Sequence, residues 1–151
     1  MPPRTLPGWN EPPMRVLIVE DNPQELRIIK RALKRCPGKP EPFHVKDGEE
    51  ALEFLHRSGE YEAAPRPDLI ISCLNLPKIG GHEILEKVKS DPALQRIPFV
   101  VLTASERFED IDRAYTSGAS GFVTKSVDEK ELEAAVQMIH GYWQLCWTSR
   151  D

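Results

Sequence analysis

Short apolar runs alternate with longer amphipathic segments along this chain of 151 residues. The short runs have the length and continuous apolar character of buried strands, and the segments between them repeat apolar side chains at helical spacing. The predicted strands are 16–19, 43–45, 69–73, 99–102 and 122–123. The predicted helices carry Leu26, Ile29 and Leu33; Ala51, Leu52 and Leu55; Ile84, Leu85 and Val88; Ile111, Ala114 and Tyr115; and Leu132, Ala135, Val136 and Ile139.

Cap and turn residues separate these elements. Asn22 before Pro23 predicts the start of the first helix, with Glu25 as its third residue, and Asp47 and Asp128 precede the second and fifth helices. Strands that alternate with helices indicate an α/β fold, in which a doubly wound, parallel five-stranded sheet of (βα)5 type is covered on both faces.

The length allows one domain with a real core. Residues 1–13 carry five prolines and are expected to form an extended arm, with Trp9 as its one large apolar group. The domain itself is expected at 14–147, with a short tail at 148–151. The arm either frays, as termini usually do, or docks on the domain or a partner through Trp9.

Composition argues against several classes of protein. The formal net charge of −4 and the pI of about 5.6 disfavour a nucleic-acid-binding face, and the basic residues at 30–31 and 34–35 fall on a predicted helix, where they form a solvated face. The apolar runs fall short of the roughly 20 residues of a membrane span, and no signal peptide is visible. Three widely spaced cysteines fit neither a disulfide framework nor a zinc site, so a reducing cytoplasm is expected.

Chemically distinctive residues stand where the predicted strands end. Ligand sites in such folds lie at the carboxyl ends of the strands, so these side chains are expected to share one pocket. Each alone is weak evidence, because acidic pairs often cap helices and strand-end lysines are often solvated. The residues are Glu20, Asp21, Cys73, Thr103 and Lys125.

Four segments together resemble a bacterial response-regulator receiver domain of the two-component phosphorelay systems. They are VLIVEDNP at 16–23, DLIISCLNLPKIGG at 68–81, VLTA at 101–104 and GASGFVTK at 118–125. The resemblance spans about 14–140. NLPK and RIPFVVLTAS are similar to the single-domain receivers that pair with phytochrome-type histidine kinases. The resemblance implies a flavodoxin-like receiver fold.

The resemblance also implies a metal site. In receivers an acidic pair binds Mg²⁺ together with the phosphoacceptor aspartate and a backbone carbonyl two residues later. By match these are Glu20, Asp21, position 73 and Asn75. Oxygen ligands of this kind suit Mg²⁺.

Three further positions match the family's phosphoryl site and its switch. Thr103 would bond a phosphoryl oxygen, and Lys125 would pair with the phosphoryl group and neutralise its charge. Phe122 matches the aromatic residue that changes rotamer on activation.

The chain departs from the family pattern in three places. Cys73 stands at the phosphoacceptor aspartate, Ser126 at the proline that usually follows the lysine, and Gly80 at an acidic residue before Gly81. A thiol cannot form an acyl phosphate, and it is a poor ligand for Mg²⁺, so metal binding is expected to be weakened.

The charges around Cys73 act in opposite directions. Glu20 and Asp21 disfavour its thiolate, whereas Lys125 favours it. With two carboxylates against one ammonium, we expect a protonated, inert thiol.

Four interpretations remain open. The first is an atypical receiver that works by protein–protein contact. The second is a receiver that uses Cys73 as a redox or metal handle. The third is an ordinary phospho-accepting receiver carrying an engineered change from aspartate to cysteine. The fourth, a flavin carrier, is disfavoured because the first strand ends in Glu-Asp-Asn and not in a Gly/Ser/Thr-rich loop.

The expected partners are a histidine kinase, of the phytochrome type by resemblance, and a second copy of the chain. With nothing predicted after the fifth helix, the signal is expected to leave through contact. That helix carries Tyr142, Trp143 and Trp147, and aromatic residues are enriched at interfaces. We predict a homodimer through this helix and the face formed by the fourth helix and the fifth strand.

The four histidines show no metal-ligand spacing. They are expected at the surface or at edges, and they are His44, His56, His82 and His140. The sequence shows no nucleophile–His–acid arrangement, so an enzyme is not predicted.

Overall fold

The computed structural model describes residues 12–146. Trp9, most of the predicted arm, Trp147 and the tail at 148–151 lie outside the described residues, so the predicted boundaries of arm and tail stay predictions.

Strands and α-helices alternate along the described chain, with a 3-10 turn at Gly59–Tyr61. The strands are β1 (Arg15–Val19), β2 (Glu41–Val45), β3 (Leu69–Ser72), β4 (Phe99–Thr103) and β5 (Gly121–Thr124). The helices are α1 (Pro23–Lys34), α2 (Gly48–His56), α3 (Gly81–Ser90), α4 (Phe108–Thr116) and α5 (Glu129–Leu145).

The strands form one parallel sheet in the order β2-β1-β3-β4-β5, which confirms the predicted fold class. Val19 at the end of β1 pairs with Val45 of β2 and with Ser72 of β3. The residues that follow β1 and β3 therefore leave the sheet side by side at its carboxyl edge.

Alternate side chains of the strands point to opposite faces of the sheet and pack into two hydrophobic cores. Leu17 and Val19 pack with α2, α3 and α4 on one face of the sheet. Val16 and Ile18 pack with α1 and α5 on the other. Burial on both faces explains why each strand is a continuous apolar run in the sequence.

The helix starts agree with the sequence. Asn22 accepts hydrogen bonds from the backbone N–H groups of Gln24 and Glu25, and Asp47 and Asp128 cap α2 and α5 in the same way. α2 ends at His56, because Arg57 takes the left-handed conformation (φ 55°) that terminates a helix, and this lies within two residues of the stop that Ser58-Gly59 indicates in the sequence.

His140 is not the surface or edge residue that the sequence suggested, since it is only 2% exposed. It lies one turn after Val136 on the face of α5 that packs against the sheet. Across residues 12–146, the helices are all too short or too polar to cross a membrane.

Candidate functional site

The acidic pair lies directly after β1, and its two members differ in environment. Glu20 is only 3% exposed, whereas Asp21 is exposed. Glu20 Oε1 accepts a hydrogen bond from Lys125 Nζ at 2.9 Å, and Oε2 accepts one from the backbone N–H of Asn22 at 3.1 Å. Both oxygens of the buried carboxylate are therefore engaged.

Lys125 follows β5 and reaches across the sheet edge to α1. Its ammonium contacts Glu25 Oε2 as well as Glu20, and its side chain is 9% exposed. Burial acts to lower the pKa of Lys125, but the hydrogen bonds that its ammonium donates to Glu25 and Glu20, together with their negative charges, outweigh it and hold the pKa above its ordinary value. The backbone N–H of Lys125 donates to the Thr103 carbonyl, which ties β5 to β4 at this edge.

Cys73 follows β3 and is 6% exposed. Its backbone N–H donates to the Val19 carbonyl at 3.1 Å, and its thiol lies 3.8 Å from the Asn75 carbonyl oxygen. The Sγ atom and one carboxylate oxygen each from Glu20 and Asp21 all lie within 4.8 Å of one another. The structure thus brings together the predicted metal-site residues.

The thiol of Cys73 is held protonated, as the sequence predicted, but for a different main reason. Burial is the largest cause that raises the pKa of Cys73 to about 12, and the charge of Glu20 adds to it. Lys125 opposes the shift, and Asp21 contributes less than either. Burial, which the charges in the sequence do not reveal, is thus the dominant cause of the raised pKa of Cys73.

The helix α3, which follows the loop after β3, packs tightly against the end of that strand. The Gly81 N–H donates to the Leu74 carbonyl at 2.8 Å. A Cβ at Gly81 would stand 2.2 Å from the Cys73 carbonyl oxygen. Only glycine lets α3 approach this closely, so α3 fixes the backbone that carries the thiol.

Thr103 and Phe122 lie in the neighbouring β4–β5 half of the site. Thr103 is buried at the end of β4, and its hydroxyl accepts from the Ser105 N–H at 3.3 Å. Phe122 is half-buried against the α2–α3–α4 core, and its N–H donates to the Tyr115 hydroxyl of α4 at 3.1 Å. Their roles at a phosphoryl group and in switching stay predictions.

Two members of the site were not recognised from sequence. The sequence places Glu25 only as the third residue of the first helix, but its carboxylate accepts a hydrogen bond from Lys125. His44 lies on the edge strand β2, as predicted, and its Nε2 lies 2.9 Å from the Glu20 carbonyl oxygen. The parallel pairing of Ile18 with His44 signals that proximity, once β1 and β2 are known to be neighbours.

A second polar cluster joins α3 to α4. Asp110 accepts from the Ser105 hydroxyl at 2.6 Å and lies 3.2 Å from His82 Nε2. The Ser105 bond is the largest cause that lowers the pKa of Asp110. The aspartate stands between serine and histidine, whereas a base-activated serine needs the histidine beside its hydroxyl. The cluster is a helix–helix contact.

Comparison with known proteins identifies this arrangement. The family model of the response regulator receiver domain matches residues 16–137. The chain is a member of the receiver-domain family. It is 40% identical over 134 residues to the response regulator Rcp1 of Synechocystis, covering 89% of this chain and 91% of that protein.

Solved receiver structures share its fold. The phosphorylated cyanobacterial phytochrome response regulator RcpA superposes with a TM-score of 0.87 at 40% identity, covering 91% of this chain and 99% of the other. The Mn²⁺-bound form of Rcp1 superposes with a TM-score of 0.84 at 40% identity, covering 87% of this chain and 95% of the other. These are two-component signalling proteins, and one of them holds a divalent cation.

Receiver domains bind Mg²⁺ or Mn²⁺ at their acidic pocket, so the residues of this chain can be tested against such an ion. Mg²⁺ requires near-octahedral oxygen coordination. Here Cys73 contributes sulfur where an oxygen donor is needed. This donor set does not fit Mg²⁺.

Proposed function

We propose that this receiver domain signals by protein–protein contact and does not accept a phosphoryl group at position 73. The observation that carries the proposal is the thiol of Cys73 in the acidic pocket, buried and with its pKa raised to about 12. It stands where the receiver pattern has its phosphoacceptor aspartate. Mg²⁺ binding is correspondingly weak, because the ion loses a carboxylate ligand.

The surrounding groups support this proposal. Lys125, which the receiver pattern assigns to the phosphoryl group, is already hydrogen-bonded to Glu20 and Glu25. A protonated thiol is a poor nucleophile. Neither the nucleophile nor the cation that neutralises transferred charge is therefore poised for transfer.

We assign two partners. A histidine kinase, phytochrome-type, is favoured by the likeness to Rcp1 and RcpA. A second copy of the chain is favoured by the outer surface of α5 and β5, called here the β5–α5 face. It holds a groove of about 660 Å³ beside the edge strand, and its exposed residues include Met138 (74%) and Tyr142 (62%).

A redox role of Cys73 is the weaker alternative. Redox-sensing cysteines are solvent-accessible and have a low pKa. Cys73 is buried and its pKa is raised. Intact-protein mass after mild peroxide treatment tests this alternative, and oxidation at Cys73 would support it.

Phosphoryl transfer is tested with Mg²⁺ and a small phosphodonor such as acetyl phosphate. The mass of the protein is measured for the wild type and for Cys73→Asp. We expect a phosphoryl group on the aspartate form and none on the wild type, because only the carboxylate is a competent acceptor. A phosphoryl group on Cys73 of the wild type would overturn the proposal.

Dimerisation is tested by sedimentation velocity up to high micromolar concentration. We expect a dimer for the wild type and a monomer for Tyr142→Glu, because a charge in an apolar interface is costly to bury. Val127→Glu is the matched control, since Val127 is fully exposed and does not line the groove. A monomeric wild type would contradict the predicted homodimer.

A further inference from the structure

We infer that the pocket formed by Glu20, Asp21 and Cys73 binds a thiophilic divalent cation, Zn²⁺, in preference to Mg²⁺. This inference rests on the proposed function, in which Cys73 is not a phosphoryl acceptor. It follows from the mismatch between the donor set of this chain and the hard cation of the family.

The geometry brings three different ligand side chains to one point. One ligand atom from each lies within 4.8 Å of the other two, and in the described part of the chain this is the one such group of histidine, cysteine, aspartate or glutamate residues. Zn²⁺ holds sulfur at about 2.3 Å and carboxylate oxygen at about 2.1 Å, so tetrahedral neighbours lie about 3.6 Å apart. If the three ligand atoms moved about 1 Å closer to one another, they would reach the spacing of a tetrahedral zinc site.

The surroundings of the thiol provide an independent observation. Cys73 is more than nine-tenths buried, yet its Sγ is directed toward oxygen atoms: the Asn75 carbonyl and the acidic pair. The other buried cysteine, Cys36, donates to the Ala32 carbonyl of its own helix. Both thiols have a backbone carbonyl partner, but the thiol of Cys73 also faces the carboxylates of Glu20 and Asp21.

The donor atoms of the pocket, one sulfur and carboxylate oxygens, determine which ion fits. Mg²⁺ is hard and takes oxygen, whereas Zn²⁺ is borderline and takes thiolate and carboxylate together. On binding, the S–H bond of Cys73 breaks, an S–Zn bond forms and the proton leaves to solvent. The carboxylates of Glu20 and Asp21 supply two further ligands, and the fourth position is open to the Asn75 carbonyl or to water.

Charge balance is consistent with this site. The carboxylates of Glu20, Asp21 and Glu25 and one thiolate carry four negative charges, of which Zn²⁺ and the Lys125 ammonium together offset three. Lys125 also donates to Glu20 Oε1, and a hydrogen-bonded carboxylate ligand is held in orientation by such a partner. The hydrogen bond between Lys125 and Glu20, which hinders phosphoryl chemistry, therefore supports a cation site.

The test titrates Zn²⁺ into chelator-treated full-length protein and reads affinity by competition with a chromophoric chelator. Co²⁺, a spectroscopic substitute for Zn²⁺, reports sulfur ligation through a thiolate-to-cobalt charge-transfer band in the near ultraviolet. We expect one Zn²⁺ per chain, at least about a hundredfold tighter than Mg²⁺, and a sulfur–cobalt band.

Variants locate the site. Cys73→Ser should abolish the sulfur–cobalt band and weaken Zn²⁺ binding by at least about tenfold. Asp21→Asn should weaken Zn²⁺ binding without disturbing folding, because Asp21 is exposed. Cys146→Ser is the matched control and should bind as the wild type does.

Two outcomes would overturn the inference: no sulfur–cobalt band in the wild type, or unchanged Zn²⁺ affinity in Cys73→Ser. Neither outcome bears on phosphoryl transfer, which the mass of the phosphodonor-treated wild type measures separately. Failure of the metal site and failure of the proposed function are therefore distinguishable.

Discussion

At the carboxyl edge of the sheet, polar groups are buried and satisfied by one another, whereas the β5–α5 face leaves apolar groups in water. Glu20 and Lys125 at the edge are hydrogen-bonded and shielded, and Cys73 beside them is shielded as well. On the β5–α5 face, Met138 and Tyr142 extend from α5 into solvent beside an open groove.

The difference indicates where each region can act. A phosphoryl group could pair with Lys125 only if the hydrogen bonds of Lys125 to Glu20 and Glu25 were broken, and leaving a buried polar group unpaired is costly. An exposed apolar face gains about 25 cal/mol for each Å² that a partner covers. The comparison favours contact at the β5–α5 face over phosphoryl chemistry at the pocket.

The sharpest separation of pocket from surface is expected in thiol reactivity at pH 8. Cys73 should react with iodoacetamide about a thousandfold more slowly than a free cysteine, since a pKa of about 12 leaves far less thiolate than an ordinary pKa of about 8.5. The rate is measured by peptide mass after timed alkylation, with the partly exposed Cys146 as internal reference.

Since the thiolate fraction of Cys73 is small, its alkylation rate should rise about tenfold for each pH unit while the fold persists. Alkylation of Cys73 as fast as Cys146 at pH 8 would show that the pocket opens readily. The pocket would then be as accessible to solvent as the β5–α5 face.

The next largest effect is expected at the ion pair that closes the pocket. Lys125→Met removes the ammonium from buried Glu20 and from Glu25, and breaking a buried pair on one side costs about 3 kcal/mol. The free energy of unfolding is measured by urea titration. Because Arg113 pairs with Glu86 on the surface, Arg113→Met should cost less than about 1 kcal/mol. Equal losses in the two variants would mean that the pocket is solvated.

Much of the fold could be predicted because its strands are buried on both faces and its helices begin at Asn22, Asp47 and Asp128. The exact residue that terminates α2 could not, because Arg57, which is not a glycine, takes the left-handed conformation there.

The part of the candidate site that follows from the strand order could be predicted from the sequence. Glu20, Asp21, Cys73 and Lys125 meet because parallel strands end at one edge. The role of Glu25 was missed because a helix-start glutamate has two possible partners, the helix backbone or a cation across the edge. Sequence spacing cannot choose between them. Burial, the main cause of the raised pKa of Cys73, also depends on how tightly α3 packs.

The smallest effect sets two glycines against each other, Gly81 beside the pocket and Gly141 in α5. At Gly81 an added Cβ would meet backbone atoms, the Cys73 carbonyl oxygen at 2.2 Å and the Leu74 Cα at 2.8 Å. Backbone cannot rotate aside, so Gly81→Ala should cost about 2 kcal/mol of unfolding free energy. At Gly141 in α5 nothing lies within 4 Å, so Gly141→Ala should stabilise the protein by up to about 1 kcal/mol through helix propensity.

Opposite signs of the change in unfolding free energy in the same urea titration would confirm that α3 packs tightly on the end of β3, whereas α5 has room for a side chain at Gly141. A neutral Gly81→Ala would mean that α3 can shift, and the burial that raises the pKa of Cys73 would then be adjustable. A destabilising Gly141→Ala whose loss grows with protein concentration would place Gly141 inside the dimer contact, because only association depends on concentration.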